Sequence, residues 1–162
     1  MKAELHRAYL SIGSNIQPEV YLPRAVALLA EYGQVESVSQ VWESHAVGSD
    51  GPNFLNACLL FVSPLQAHQL KEQVIRDIES HLGRVRGPDK YAPRTVDLDI
   101  VLFDGQTLEP RHWQSPFVLV PLAELVPDFQ HPLTAEPLDR VAQQVRLDTW
   151  IVPRPDIKIS SE

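Results

Sequence analysis

The sequence predicts an α+β domain in which helices pack on an antiparallel sheet. Three observations predict it. Four short β-prone segments alternate apolar with polar residues or run unbroken and apolar; two segments among them repeat apolar residues at helical spacing; and the order is strand, helix, strand, strand, helix, strand. That order is the ferredoxin-like β-α-β-β-α-β plan. An irregular end with short helices completes it.

Each element has its own reason. Ala8–Ile12 (AYLSI) is a β-prone run, closed by the turn signal Gly13-Ser14-Asn15. A helix is expected from about Leu22 to Tyr32: Pro23 suits its first turn, Leu22, Ala25, Val26, Leu29 and Tyr32 supply an apolar face, and Gly33 ends it. Gln34–Val41 alternates with period two, as a half-buried strand does. Ser44–Asn53, rich in Gly, Ser and Asp, is a loop before the more apolar strand Phe54–Val62. In the second helix, Ser63 is the expected N-cap, Pro64 the first helical residue and Gln66 the partner in a capping box. Ala67, Leu70, Val74, Ile78 and Leu82 then recur at helical spacing, and Gly83 stops the helix. Arg84–Arg94 is a loop, Val96–Phe103 the next strand, and short helices are expected at Leu119–Leu125 and Leu138–Val145.

Composition narrows the function classes. A length of 162 residues, with 44% hydrophobic and 22% charged, suits one soluble domain over 1–162, its core from about 8 to 150 and its tail 153–162 loosely ordered. A net charge of −7 argues against a broad surface for nucleic acid or anionic membrane. Cys58 is the single cysteine, so an intrachain disulfide or a thiolate cluster is excluded. With no apolar run of membrane-spanning length, a cytoplasmic protein is the default expectation.

The chemistry starts in RTVDLDIVLFDG, residues 94–105, where two acids interrupt an apolar strand. Residues i and i+2 of a strand share a face, with Cα atoms about 6.5 Å apart. Asp97 and Asp99 therefore project together, while Val96, Leu98 and Ile100 project to the other side. Carboxylates so close repel, and oxygen ligands on a strand suit a hard cation such as Mg²⁺. An edge strand with a solvated polar face explains the acids alone equally well. Arg84, Arg86, Lys90 and Arg94 add four of the 14 basic residues within eleven positions. Guanidinium groups match phosphate oxygens bidentately, so acid pair plus basic loop is a ground plan for metal-assisted phosphoryl transfer. Surface salt bridges are the alternative use of the same charges. A GxxxxGK[ST] loop and the protein-kinase signatures are absent, and the six histidines lack metal-ligand spacing. Asn56, an amide within an apolar strand, offers a donor and an acceptor suited to a heterocycle; Phe54 and Tyr91 offer aromatic faces.

Five stretches carry a family resemblance: AYLSIGSN (8–15), FLNA (54–57), LGRVR (82–86), YAPRTVDLDIVLFDG (91–105) and FVLVPLAELVPDF (117–129). In this order they resemble the 6-hydroxymethyl-7,8-dihydropterin pyrophosphokinases of folate biosynthesis. The resemblance implies transfer of the pyrophosphoryl group of ATP to the pterin's hydroxymethyl oxygen, with release of AMP. It implies two Mg²⁺ ions on Asp97 and Asp99, and Arg84 and Arg94 assisting transfer at the phosphates. ATP would further meet Leu70, Arg76, Glu79, Arg86 and Ile100. The pterin would meet Ser44, Val47, Phe54, Asn56, Tyr91, Asp97 and Phe117. Gly48, Gly51 and Gly87 would let the two neighbouring loops close. The partners implied are small molecules only, on a monomer, without nucleic acid or membrane.

The link after the DLD strand departs from the family pattern. Gln106–Pro116 is several residues shorter than usual, and Ser115 stands where a phosphate-gripping Arg is expected. Arg111 and His112 are the candidate substitutes. Two other readings use the same residues: a family member that binds pterin or nucleotide with weak or altered transfer, and a non-catalytic ferredoxin-like interaction domain.

Overall fold

The computed structural model describes residues 4–46, 51–83 and 96–159. Its sheet is built from β1 (His6–Ser14), β2 (Gln34–Val38), β3 (Trp42–Ser44), β4 (Phe54–Ser63), β5 (Asp97–Phe103), β6 (Gln106–Thr107) and β7 (Ile151–Pro153). The strand order is β6-β5-β1-β4-β3-β7, with β2 also on β4, and every pairing is antiparallel. β1 and β4 lie in the middle and are buried along most of their length, as their apolar sequences require. The predicted α+β, ferredoxin-like arrangement is the one observed.

Helices cover both faces. On one side α1 (Pro18–Tyr32) and a long helix over residues 67–81 bury Leu22, Val26, Leu29, Val74 and Ile78 against Leu10, Ile12, Leu59 and Phe61. Each fully buried Leu or Val contributes about 1.5–3 kcal/mol relative to exposure. On the other side α4 (Pro116–Leu125) and α5 (Leu138–Asp148) form a second core with Trp42, Cys58, Val101, Leu102 and Trp113. Among the described residues no helix is long and apolar enough to cross a membrane.

Several expectations about boundaries are corrected. β1 continues through Gly13 and Ser14, which pair with Asn56 and Leu55, so the first half of the expected turn is strand. The turn falls instead at Gln17, whose φ of 42° is left-handed, and Pro18 rather than Leu22 opens α1. The long helix is capped by Gln66, not Ser63. Gln66 N–H donates to Gln69 Oε1 at 2.8 Å in a reciprocal capping box, while Ser63 Oγ accepts from Leu65 N–H at 3.2 Å in a local turn. The helix begins as α2 (Ala67–Gln69), widens to a π-helical stretch (Leu70–Ile75) and ends as α3 (Arg76–His81).

The expected strand Gln34–Val41 is divided into β2 and β3. At the break, Ser39 takes over the ladder to Cys58: its N–H donates to Cys58 O at 2.8 Å, and its Oγ accepts from Cys58 N–H at 2.9 Å. The tail, expected to be loosely ordered from residue 153, makes sheet and core contacts up to Ile159. β7 pairs with β3, Arg154 N–H donates to Val41 O at 2.8 Å, and Ile159 is buried in the first core. Alternating sequence patterns register burial, and a three-residue edge strand such as β7 is too short to show one.

Candidate active site

Register assembles the site. β1 pairs Gly13 with Asp97 on one side and with Asn56 on the other, and Asn56 pairs onward with Trp42. Four strands thus present Asp97, Gly13, Asn56 and Trp42 as one cross-strand row. Alternation puts this row on the face covered by α4, together with Phe54, and Ser44 stands opposite Phe54. Phe117, in the first turn of α4, packs half-buried on the same side. Ser44, Phe54, Asn56, Asp97 and Phe117, five of the residues expected at the pterin, therefore share one sheet face. Val47 and Tyr91 lie outside the described residues.

Asn56 is buried, and its Oδ1 has no hydrogen-bond partner among the described residues. Desolvating a carbonyl without a partner costs about 1–3 kcal/mol, which a ligand donor at this position would recover. The amide has room because residue 13 is glycine: a Cβ there would run into Asn56 Nδ2. Sequence reasoning took Gly13 for a turn residue and missed this use. Its signal lies in the pairing of two strands, not in either strand alone.

A cleft of about 630 Å³ follows the outer edge of β5. β6 pairs only with Leu102 and Phe103, so residues 97–100 have no strand on that side among those described. Arg76, Glu79, Asp97, Asp99, Ile100 and Arg111 line the cleft, which unites six of the predicted nucleotide and metal residues. Lys71 and Glu109 also line it and were not anticipated. Leu70 does not: it is 1% exposed and packs in the first core, as its place in the apolar stripe demands. Glu79 is buried, and its Oε2 accepts the N–H of Leu98 at 3.0 Å, replacing the absent strand partner. Arg84, Arg86 and Arg94 lie outside the described residues.

The acid pair has the expected geometry with an electrostatic consequence. Burial and the neighbouring charge of Asp97 push the Asp99 carboxyl above the usual carboxylate range, although Arg111 opposes the shift. Arg111 Nη2 donates to Asp99 Oδ1 at 3.0 Å, and its Nε donates to Glu109 Oε2 at 2.5 Å. The hydrogen bond from Arg111 holds Glu109 below its ordinary value. Next along the chain His112 is buried, neither ring nitrogen has a hydrogen bond among the described residues, and burial depresses its basicity. The link after β5 thus brings Arg111 and His112 to the acid pair.

Two carboxylates that share a face and repel one another fit a hard divalent cation. Among the described residues no group of three or more His, Cys, Asp or Glu side chains forms a metal cluster. A Mg²⁺ site does not need one, since this ion keeps waters and takes phosphate oxygens as ligands. The donor set therefore fits Mg²⁺.

Comparison with known proteins agrees with this geometry. Residues 9–127 match the family model for 7,8-dihydro-6-hydroxymethylpterin-pyrophosphokinase. A 2-amino-4-hydroxy-6-hydroxymethyldihydropteridine pyrophosphokinase of Bacillus subtilis is 37% identical over 150 residues, covering 85% of this chain and 89% of the relative. One from Synechocystis is 33% identical over 153 residues, covering 88% and 77%. Among solved structures, the Plasmodium falciparum HPPK-DHPS with pterin and p-hydroxybenzoate superposes with a TM-score of 0.67 at 12% identity. That likeness, which speaks for the fold alone, covers 88% of this chain and 43% of the larger Plasmodium one.

Proposed function

Because the chain belongs to the 7,8-dihydro-6-hydroxymethylpterin-pyrophosphokinase family, we propose that it transfers pyrophosphate from ATP to 6-hydroxymethyl-7,8-dihydropterin. AMP is released, and the product serves folate biosynthesis. The observation that carries the reading is the cross-strand row: a buried amide with an unpaired carbonyl shares a sheet face with an acid pair that borders a nucleotide-sized cleft.

In this reading the pterin lies on the face of Ser44, Phe54, Asn56 and Phe117, with Asn56 Oδ1 accepting a hydrogen bond from the heterocycle. ATP lies along the edge of β5, between the long helix and the turn that carries Arg111. The hydroxymethyl oxygen attacks the β-phosphorus and gives up its proton to solvent, the bond from that phosphorus to the α,β-bridging oxygen breaks, and AMP leaves with the electron pair. Asp97 and Asp99 would hold two Mg²⁺ ions, which would supply positive charge to the phosphate oxygens. Arg111 spans the edge of the phosphate site, and its guanidinium is free to exchange Asp99 for a phosphate oxygen. Rate acceleration comes from alignment and charge neutralisation. Arg84 and Arg94 belong to the same anion site in this reading. The protein acts as a cytoplasmic monomer on small molecules, without nucleic acid or membrane, consistent with its net charge of −7.

The test is AMP formation on mixing the protein with ATP, Mg²⁺ and the hydroxymethyl dihydropterin. Pterin-dependent AMP, lost in Asp97→Ala and Asp99→Ala variants of unchanged circular dichroism, supports the reading. Wild-type protein that forms no AMP overturns it.

A further inference from the structure

The turn that brings Arg111 and His112 to the acid pair is short, and little within it fixes its position. It is a 3₁₀ turn (Pro110–Gln114), with Ser115 N–H on His112 O at 3.3 Å and Ser115 Oγ donating to Arg111 O at 2.9 Å. Outside the turn Arg111 pairs with Asp99 and Trp113 packs in the second core, and further anchors come from beyond α4. Trp113, buried at 3% exposure, stacks on Phe129 with ring centroids 5.5 Å apart and meets the His131 ring edge-on at 5.8 Å. His131, 5% exposed, reaches back eighteen residues to place Nε2 2.7 Å from Trp113 O.

We infer that His131 is a positioning residue for nucleotide binding: its imidazole holds the Arg111–His112 turn against the phosphate side of the cleft. The inference rests on the nucleotide reading of that cleft given above. Hydrogen bonding fixes the ring in one role. Leu133 N–H donates to Nδ1 at 3.1 Å, so Nδ1 is the acceptor and Nε2 carries the hydrogen donated to Trp113 O. The backbone behind the ring is fixed too. His131 N–H donates to Glu136 O and Ala135 N–H to His131 O, both at 2.8 Å, and Gln130 bridges Pro137. A rigid bracket over residues 129–137 therefore grips the carbonyl directly after His112. Arg111, one residue further back, reaches Asp99 from this held frame.

Two conservative substitutions separate this role from a local structural one. In His131→Gln the side-chain amide N–H occupies the place of Nε2 and still reaches Trp113 O. In His131→Asn the amide oxygen occupies the place of Nδ1 and still receives Leu133 N–H, but nothing reaches Trp113. ATP and pterin affinities are measured by calorimetric titration with Mg²⁺ on wild type, His131→Gln, His131→Asn and His131→Leu, alongside thermal melts. The expected result is ATP affinity about tenfold weaker in Asn and Leu, the factor that ~1.4 kcal/mol of lost hydrogen bonding represents. Gln stays within about twofold of wild type, and pterin affinity stays within about twofold throughout. Equal ATP affinity in all four proteins, better retention in Asn than in Gln, or parallel weakening of both ligands overturns the inference. If Leu fails to fold, the Gln–Asn pair decides. Wild type without AMP formation overturns the enzymatic reading, and the ATP titrations still judge His131.

Discussion

Gly13 and Asn56 face each other across the β1–β4 pair, and the amide of Asn56 occupies the space that a side chain on residue 13 would fill. In the proposed reading the glycine serves the pterin site without touching a ligand. Gly13→Ala is expected to displace the Asn56 amide or to spread the two strands, costing about 1–3 kcal/mol in urea unfolding. Pterin affinity should fall while ATP affinity holds. Loss of ATP affinity to the same degree would show that the damage is not local to the row.

The break between β2 and β3 depends on a hydroxyl. Ser39→Ala leaves Cys58 N–H buried without its acceptor, a loss of about 1–3 kcal/mol. Chemical denaturation should read this as a lower midpoint with an unchanged slope. Ser39→Thr, which retains the oxygen, should lie nearer to wild type.

Glu43 ties the β3 end to two segments. It accepts from Asn53 Nδ2 at 2.9 Å and pairs with Arg154 Nη1 at 2.7 Å. The Asn53 hydrogen bond, then Arg154, hold its carboxyl below the usual glutamate range. A carboxyl whose folded value lies below its unfolded one stabilises above the unfolded value and loses that contribution as pH falls through the folded one. Stability should therefore decline on the acid side, below about pH 4. Glu43→Gln should cost about 1 kcal/mol at neutral pH and flatten the acid decline. Identical acid limbs in thermal melts of both proteins would reject the assignment.

Cys58 is fully buried, and burial, then the charge of Glu124, raises its thiol far above the ordinary value. Since the thiolate is the reactive form, a thiol reagent at pH 8 should leave native protein unmodified and label one site per chain in denaturant. Rapid native labelling would contradict the burial.

Much of this was legible in the chain, for stated reasons. The acid pair, the long helix and the central strands carry strong periodicities, and a sequence displays periodicity directly. What was not legible depends on contacts between segments far apart. Gly13 takes its meaning from Asn56, β7 from the edge of β3, and the Gln66 cap from competition with Ser63. Leu70, expected at the nucleotide, is buried in the first core by its place in the apolar stripe. Arg111 was anticipated only as a substitute from a different backbone position, and its reach to Asp99 needed the folded turn.

The acid-bearing strand carries one irregularity with a wider consequence. Tyr9 pairs with Leu102 and Leu10 with Ile100, leaving Val101 as an extra residue in β5. Up to Ile100 the apolar side chains enter the first core; from Val101 the second core takes two in succession before Phe103 returns to the first. Asp97 and Asp99 share their face with the second core, and the extra residue leaves Leu102 and Phe103 on the faces that strict alternation without it would give them. What Val101 adds is bulk: where the acids end, one step of the ladder delivers two apolar side chains to the second core instead of one. Removing that residue would restore perfect alternation and leave the helices on that face a side chain short.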